Sequence, residues 1–160
     1  MSKKILKVLE RDARLSTKQI ATMVGKSEKE VEKKIKEMEK AGVIRHYKTV
    51  IDWEEAGEER VCALVDVKVS PARDVGFDDI AERVLRFPEV RFLYLVSGLY
   101  DFSIMVEGKT MKDVASFISE KLAPVERVQS TITHFILKKY KEEGEVIGKK
   151  EVDKRMRVSL

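Results

Sequence analysis

The chain contains no asparagine, has glutamine only at positions 19 and 129, and carries one cysteine, Cys62. One cysteine rules out an intramolecular disulfide and argues against a cysteine-based metal cluster. Apolar residues alternating around Cys62 mark it as a core position. No apolar run approaches the ~20 residues a membrane helix needs, and no signal-peptide apolar segment precedes the first helical pattern. The expectation is a cytoplasmic protein without membrane contact. Glycine-rich phosphate loops, carboxylate dyads and metal-spaced clusters are missing as well, so no cofactor, metal or catalytic residue is expected.

The 160 residues suffice for one ordinary domain or two small ones, each with a modest core, which makes oligomerisation a reasonable expectation. Abundant Lys, Arg and Glu, with no Asn, tilt the composition toward life at high temperature. Charge is uneven along the chain. Residues 1–52 hold 14 Lys and Arg against 8 Asp and Glu, net +6, whereas residues 53–160 hold 18 against 20. The basic first third suits a polyanionic partner.

Within that third, Ile5, Leu6, Val8 and Leu9 share one side of a first helix running to about Asp12, and Leu15 can close over the same core. Ser16 reads as the cap of a second helix with Ile20, Ala21 and Val24 inward, and Gly25 is placed to end it in the left-handed conformation. Ser27 with Glu30 reads as a capping box opening a third helix. Its Val31, Ile35 and Met38 face inward until Ala41 and Gly42 stop it. Two helices joined by a tight turn after a supporting helix make a helix-turn-helix, and residues 43–51 read as a strand, a candidate wing. The third helix is then the recognition helix. Ser27, Lys29, Lys33, Lys34 and Lys36 are the expected contacts to double-stranded DNA. Glu28 and Glu30 would oppose DNA unless they face away or accept from cytosine amino groups.

Residues 52–59 lose periodicity and read as a linker between a DNA-binding domain, 1–51, and a second domain, 60–140. Trp53 is expected to anchor the packing between them. Val61, Ala63, Val65, Val67 and Val69 alternate with Cys62, Leu64, Asp66 and Lys68, a strand that stops at Ser70-Pro71. Phe77, Ile80, Ala81, Val84 and Leu85 have helical spacing, and Pro88 blocks continuation. Val90 to Val96 and Phe102 to Val106 form a hairpin bending at Gly98. Met111, Val114, Ala115, Ile118 and Leu122 stripe a second helix, and residues 128–138 make a final strand. The order βαββαβ closes into a ferredoxin-like α+β domain with both helices on one sheet face. More strand positions are apolar than one face can hide, so sheet-to-sheet dimerisation is expected. Residues 141–160 read as a Lys/Glu-rich tail, with an added edge strand or a disordered segment both open.

The first domain, through Ile5-Leu6, Leu9, Asp12-Ala13-Arg14, Ile20-Ala21, Val24-Gly25, Ser27, Val31, Ile35 and Gly42-Val43-Ile44, resembles the Lrp/AsnC (leucine-responsive and asparagine-synthesis regulator) family. Val96-Ser97-Gly98-Leu99-Tyr100-Asp101 and the Thr131-Ile132-Thr133 strand carry the likeness on to about residue 147. The resemblance implies a transcription regulator forming homodimers or higher even-numbered oligomers. It also implies an amino-acid effector near the hairpin bend, at Gly98, Leu99, Tyr100, Asp101, Thr131 and Thr133. Two departures stand out: Lys34 where the family often has Arg, and Leu99 where it often has an acid. The second favours an apolar or neutral effector. Alternatives are a sensing protein that no longer binds DNA, or a sirohaem-decarboxylase-like enzyme on the same plan. The enzyme reading is weakened by there being two histidines in all, His46 and His134, in separate domains.

Overall fold

The computed structural model describes residues 2–70 and 76–148. The chain divides into two compact units, Met1–Val50 and Ile51–Leu160.

The first unit is three helices: α1 (Ser2–Arg11), α2 (Thr17–Val24) and α3 (Glu28–Lys40). Each of the two later helices begins in a reciprocal cap, which satisfies backbone donors that have no partner inside the helix. The Ser16 hydroxyl accepts from Gln19 N while Gln19 Oε1 accepts from Ser16 N, and Ser27 does the same with Glu30. Gly25 ends α2 at φ 66°, a left-handed conformation glycine adopts without a Cβ penalty. The turn to α3 is therefore as short as a helix-turn-helix requires. Ile5, Ile20, Ala21, Val31 and Met38 form the buried centre, with Leu9, Leu15, Ile35 and Ile44 packed around it.

The strand expected over residues 43–51 does not form. Val43 N and Ile44 N both donate to the Met38 carbonyl, and residues 45–51 then make no backbone hydrogen bond with any described residue. A β-rich stretch becomes a strand only when another strand lies beside it, and none does among the described residues.

The second unit contains β1 (Val61–Val69), α4 (Phe77–Val84), β2 (Val90–Leu95), β3 (Phe102–Gly108), α5 (Met111–Phe117) and β4 (Val128–Phe135). The strands form one antiparallel sheet in the order β2-β3-β1-β4, the ferredoxin-like arrangement. Odd-numbered residues of β1 from Ala63 to Val69 point at the helices. There they bury against Phe102, Ile104 and Val106 of β3, Ile80 and Val84 of α4, and Val114 and Phe117 of α5. A π-helical turn, Ile118–Leu122, continues α5 and adds Ile118 and Leu122 to that core.

Several boundaries and faces differ from expectation. The last strand ends at Phe135 rather than near 138. Leu85 and Met111 stand exposed, because one caps the end of α4 and the other begins α5, beyond the turns that meet the sheet. Ala115 is exposed too. Residues 52–58 are an ordered turn closed by Ala56 N and Glu58 N on the carbonyls of Asp52 and Trp53. The Arg60 guanidinium lies 3.5 Å over the Trp53 ring and pairs with Glu58 and Glu107 at 2.9 Å, so the described partner of Trp53 belongs to its own unit. Beyond β4 come β5 (Lys141–Glu142) and β6 (Glu145–Val146), a two-rung hairpin. The edge strand considered near Val158 lies outside the described residues.

Candidate DNA-contact surface and effector loop

On α3, Lys29, Glu32, Lys33, Lys36, Glu37 and Lys40 border one shallow outward groove. Their charges are not equally available. Lys36 lies 2.7 Å from Glu32 and half-buried Lys34 lies 2.7 Å from Glu37, whereas Lys29, Lys33 and Lys40 form no ion pair among the described residues. The Lys36 ammonium and the Lys34 ammonium hold the carboxyls of Glu32 and Glu37 below the usual range, largely through direct hydrogen bonds. Ser27 is occupied as a cap, since its hydroxyl donates to Glu30 Oε2 at 2.7 Å while accepting from Glu30 N.

The acidic residues at the start of α3 are engaged within the unit. Glu28 Oε1 accepts from the Thr17 hydroxyl at 2.8 Å, a tie between α2 and α3 that the sequence pattern did not reveal. The Glu30 carboxyl takes both the Ser27 hydroxyl and its backbone N–H, and these bonds hold it below the ordinary carboxylate range. Near the end of α3 the Tyr47 hydroxyl donates to Glu39 at 2.8 Å.

The hairpin bend, residues 97–101, sits where β2 ends and β3 begins. Gly98 has φ 138°, a conformation that L side chains rarely adopt. The backbone N–H groups of Gly98, Leu99 and Tyr100 donate to no described residue, and Leu99 is 78% exposed. Asp101 is committed elsewhere. Its Oδ2 accepts from Val69 N at 2.9 Å, its Oδ1 lies 3.2 Å from Lys68 Nζ, and its own N–H donates to Val67 O. The Val69 N–H is the main cause that holds this carboxyl below the usual range, with Lys68 adding to it.

Asp101 thus pins the bend onto the end of β1, and Lys68 is the partner that sequence reasoning missed. The signal for Lys68 was its outward place in the β1 alternation; the alternation names no partner. Thr131 and Thr133 pair in register with Val67 and Val65, whose side chains are buried under the helices. Directly paired residues share a face, so the two threonines point to the helix side of β4, with β1 between them and β3. Residues 98–101 form the bend itself, while Thr131 and Thr133 lie on β4, with β1 between that strand and β3.

A capped helix-turn-helix with lysines on its outer face, followed by an α+β unit with open backbone donors on a hairpin, is the build of a two-domain DNA-binding regulator. Residues 62–146 match the Lrp/AsnC ligand binding domain, and residues 1–45 match a winged helix-turn-helix DNA-binding family. The chain is 48% identical to the uncharacterized HTH-type transcriptional regulator YugG of Bacillus subtilis, covering 97% of this chain and 94% of that one. It is 33% identical to an uncharacterized HTH-type transcriptional regulator of Pyrococcus furiosus, covering 85% and 89%. A Neisseria meningitidis transcriptional regulator, solved as an L-Met complex, superposes with TM-score 0.72 at 26% identity, covering 88% and 90%. The chain belongs to the Lrp/AsnC family of transcription regulators, and the regulator reading stands over the two alternatives raised from the sequence. Among the described residues no helix is long and apolar enough to cross a membrane.

Proposed function

We propose that the protein binds duplex DNA through the outward face of α3, self-associates through its sheet, and responds to a neutral or apolar amino acid at the 97–101 bend. It acts where the DNA is, in the cytoplasm. The observation that carries the DNA reading is that Lys29 and Lys33 form no ion pair among the described residues, on a helix whose leading carboxylates are held by Thr17 and Ser27. Phosphate contacts by such lysines give affinity and position, whereas sequence choice comes from base edges.

Support for the effector comes from three consecutive N–H groups at the bend, which can receive a carboxylate. Asp101 keeps acceptor capacity for an ammonium beyond its bonds to Val69 and Lys68. Exposed Leu99 supplies apolar contact and no further anion. The related Neisseria regulator was crystallised with L-Met, an amino acid of that class. Self-association is supported by the sheet face away from the helices, where Tyr94 is 58% and Ile132 43% exposed beside Leu64, Phe92 and Met105. An isologous pair needs a self-complementary patch, and this face carries Lys68 and His134 together with Asp66 and Asp101.

Fluorescence polarisation with the DNA upstream of the protein's own gene, with and without each of the twenty amino acids, tests both halves. Saturable binding that shifts with methionine or another apolar amino acid is expected. No binding to that DNA would remove the first half, and binding indifferent to every amino acid the second. Ile132→Lys is expected to weaken self-association, read by sedimentation.

A further inference from the structure

We infer that self-association through the open sheet face is linked to proton uptake by His134, so that the assembly tightens as pH falls from 8 to 6. The inference rests on the proposed sheet-to-sheet reading. His134 Nε2, on the edge strand β4, lies 3.4 Å from Asp66 Oδ2 on the adjacent strand β1. Leu64 stands across from His134 and Ile132 across from Asp66, so the pair is set among apolar side chains. In one chain His134 is 58% exposed, and an exposed pair contributes little. A second copy laid over the face would take the pair out of water, where an uncompensated charge is costly.

Among the described residues, the charges of Lys68, Glu107 and Lys139 each have a permanent counter-charge. On β1, Lys68 is paired with Asp101 at 3.1 Å. On β3, Glu107 is held by Arg60 from the segment before β1 and by Arg91 from β2. Past β4, Lys139 is held by Glu142 at 2.8 Å. Tyr94 of β2 and Cys62 of β1 also lie on this face, and burial pushes the Cys62 thiol up. Asp66 has a histidine as its counter-charge among the described residues, the side-chain type whose charge responds to pH in the physiological range. With His134 protonated each face is balanced. With it neutral, each face carries one unpaired carboxylate, and two such faces repel and resist burial.

The test is self-association of the full chain, labelled at its N-terminal amine and followed by dilution at pH 6, 7 and 8 at constant ionic strength. The dissociation constant is expected to fall by roughly tenfold or more from pH 8 to pH 6, since each proton taken up on association changes it by at most about tenfold per pH unit. His134→Gln should flatten the dependence. Asp66→Asn should reverse it, since the imidazolium then becomes the uncompensated charge at low pH. A wild-type constant that stays flat while the chain still associates overturns the inference and leaves the sheet-to-sheet reading standing. So does a slope that survives in His134→Gln, which would place the titrating group elsewhere. A chain that is monomeric at every pH removes the reading and the inference together.

Discussion

The two units solve the problem of staying folded in different ways. In the first, five buried residues form the centre, and much of the definition comes from local devices: two capping boxes, a left-handed glycine and the Thr17–Glu28 tie. In the second, thirteen buried residues hold a sheet to two helices, and a surplus of apolar surface remains on the other side. A unit of about fifty residues buries a small fraction of its surface and is marginal alone, so its helix ends matter as much as its core. The larger unit can tolerate an exposed apolar face, which is where association is proposed.

The largest expected effect comes from emptying each core in turn. Ile5→Ala and Ile104→Ala each remove a fully buried side chain at a cost of about 2–5 kcal/mol. Ile5→Ala should unfold the first unit and abolish DNA binding while the second keeps its own thermal transition. Ile104→Ala should lower the second transition without abolishing it. Calorimetry showing equal losses in both units for either variant would contradict the contrast.

Smaller is the effect of releasing the hairpin bend. Asp101→Ala strands the Val69 N–H and frees Lys68, with a loss of about 1–3 kcal/mol in the second unit. Because the Asp101 carboxyl is held below its ordinary value in the fold, its stabilisation is complete above the unfolded-state value and is lost as pH falls. Urea unfolding at pH 7 and at pH 3 should show wild type losing more stability than Asp101→Ala over that interval; parallel losses would deny the pin. Smaller again is Ser27→Ala, at about 1 kcal/mol in the first unit, measured by its thermal midpoint.

The elements were legible from periodicity and caps, because Ser16, Gly25, Ser27 and the β1 alternation act through neighbours in sequence. What stayed hidden depends on residues far along the chain. The segment 43–51 has strand composition, but a strand is a relation between two segments and the second is absent from the described residues. Family likeness groups Thr131 and Thr133 with the bend; register with Val67 and Val65 shows only that they lie on the helix side of β4, a relation between strands that the sequence does not display. The resemblance puts Asp101 at the effector site, and only the fold shows Val69 and Lys68 already upon it. On α3 the sequence offered four lysines of equal standing. Geometry separates Lys29 and Lys33 from the ion-paired Lys34 and Lys36.

That separation is also the most direct test of the claim that α3 binds DNA. The measurement is the slope of log affinity against log salt, for the protein's own upstream DNA, between 50 and 200 mM salt. Each phosphate contact contributes about 0.9 to that slope through counterion release. Lys29→Ala with Lys33→Ala should reduce the slope by nearly two such contacts, whereas Lys34→Ala, whose charge is already matched by Glu37, should change it by less than one. A double variant with the wild-type slope and affinity would contradict the account and move the DNA-contact surface off the outward face of α3.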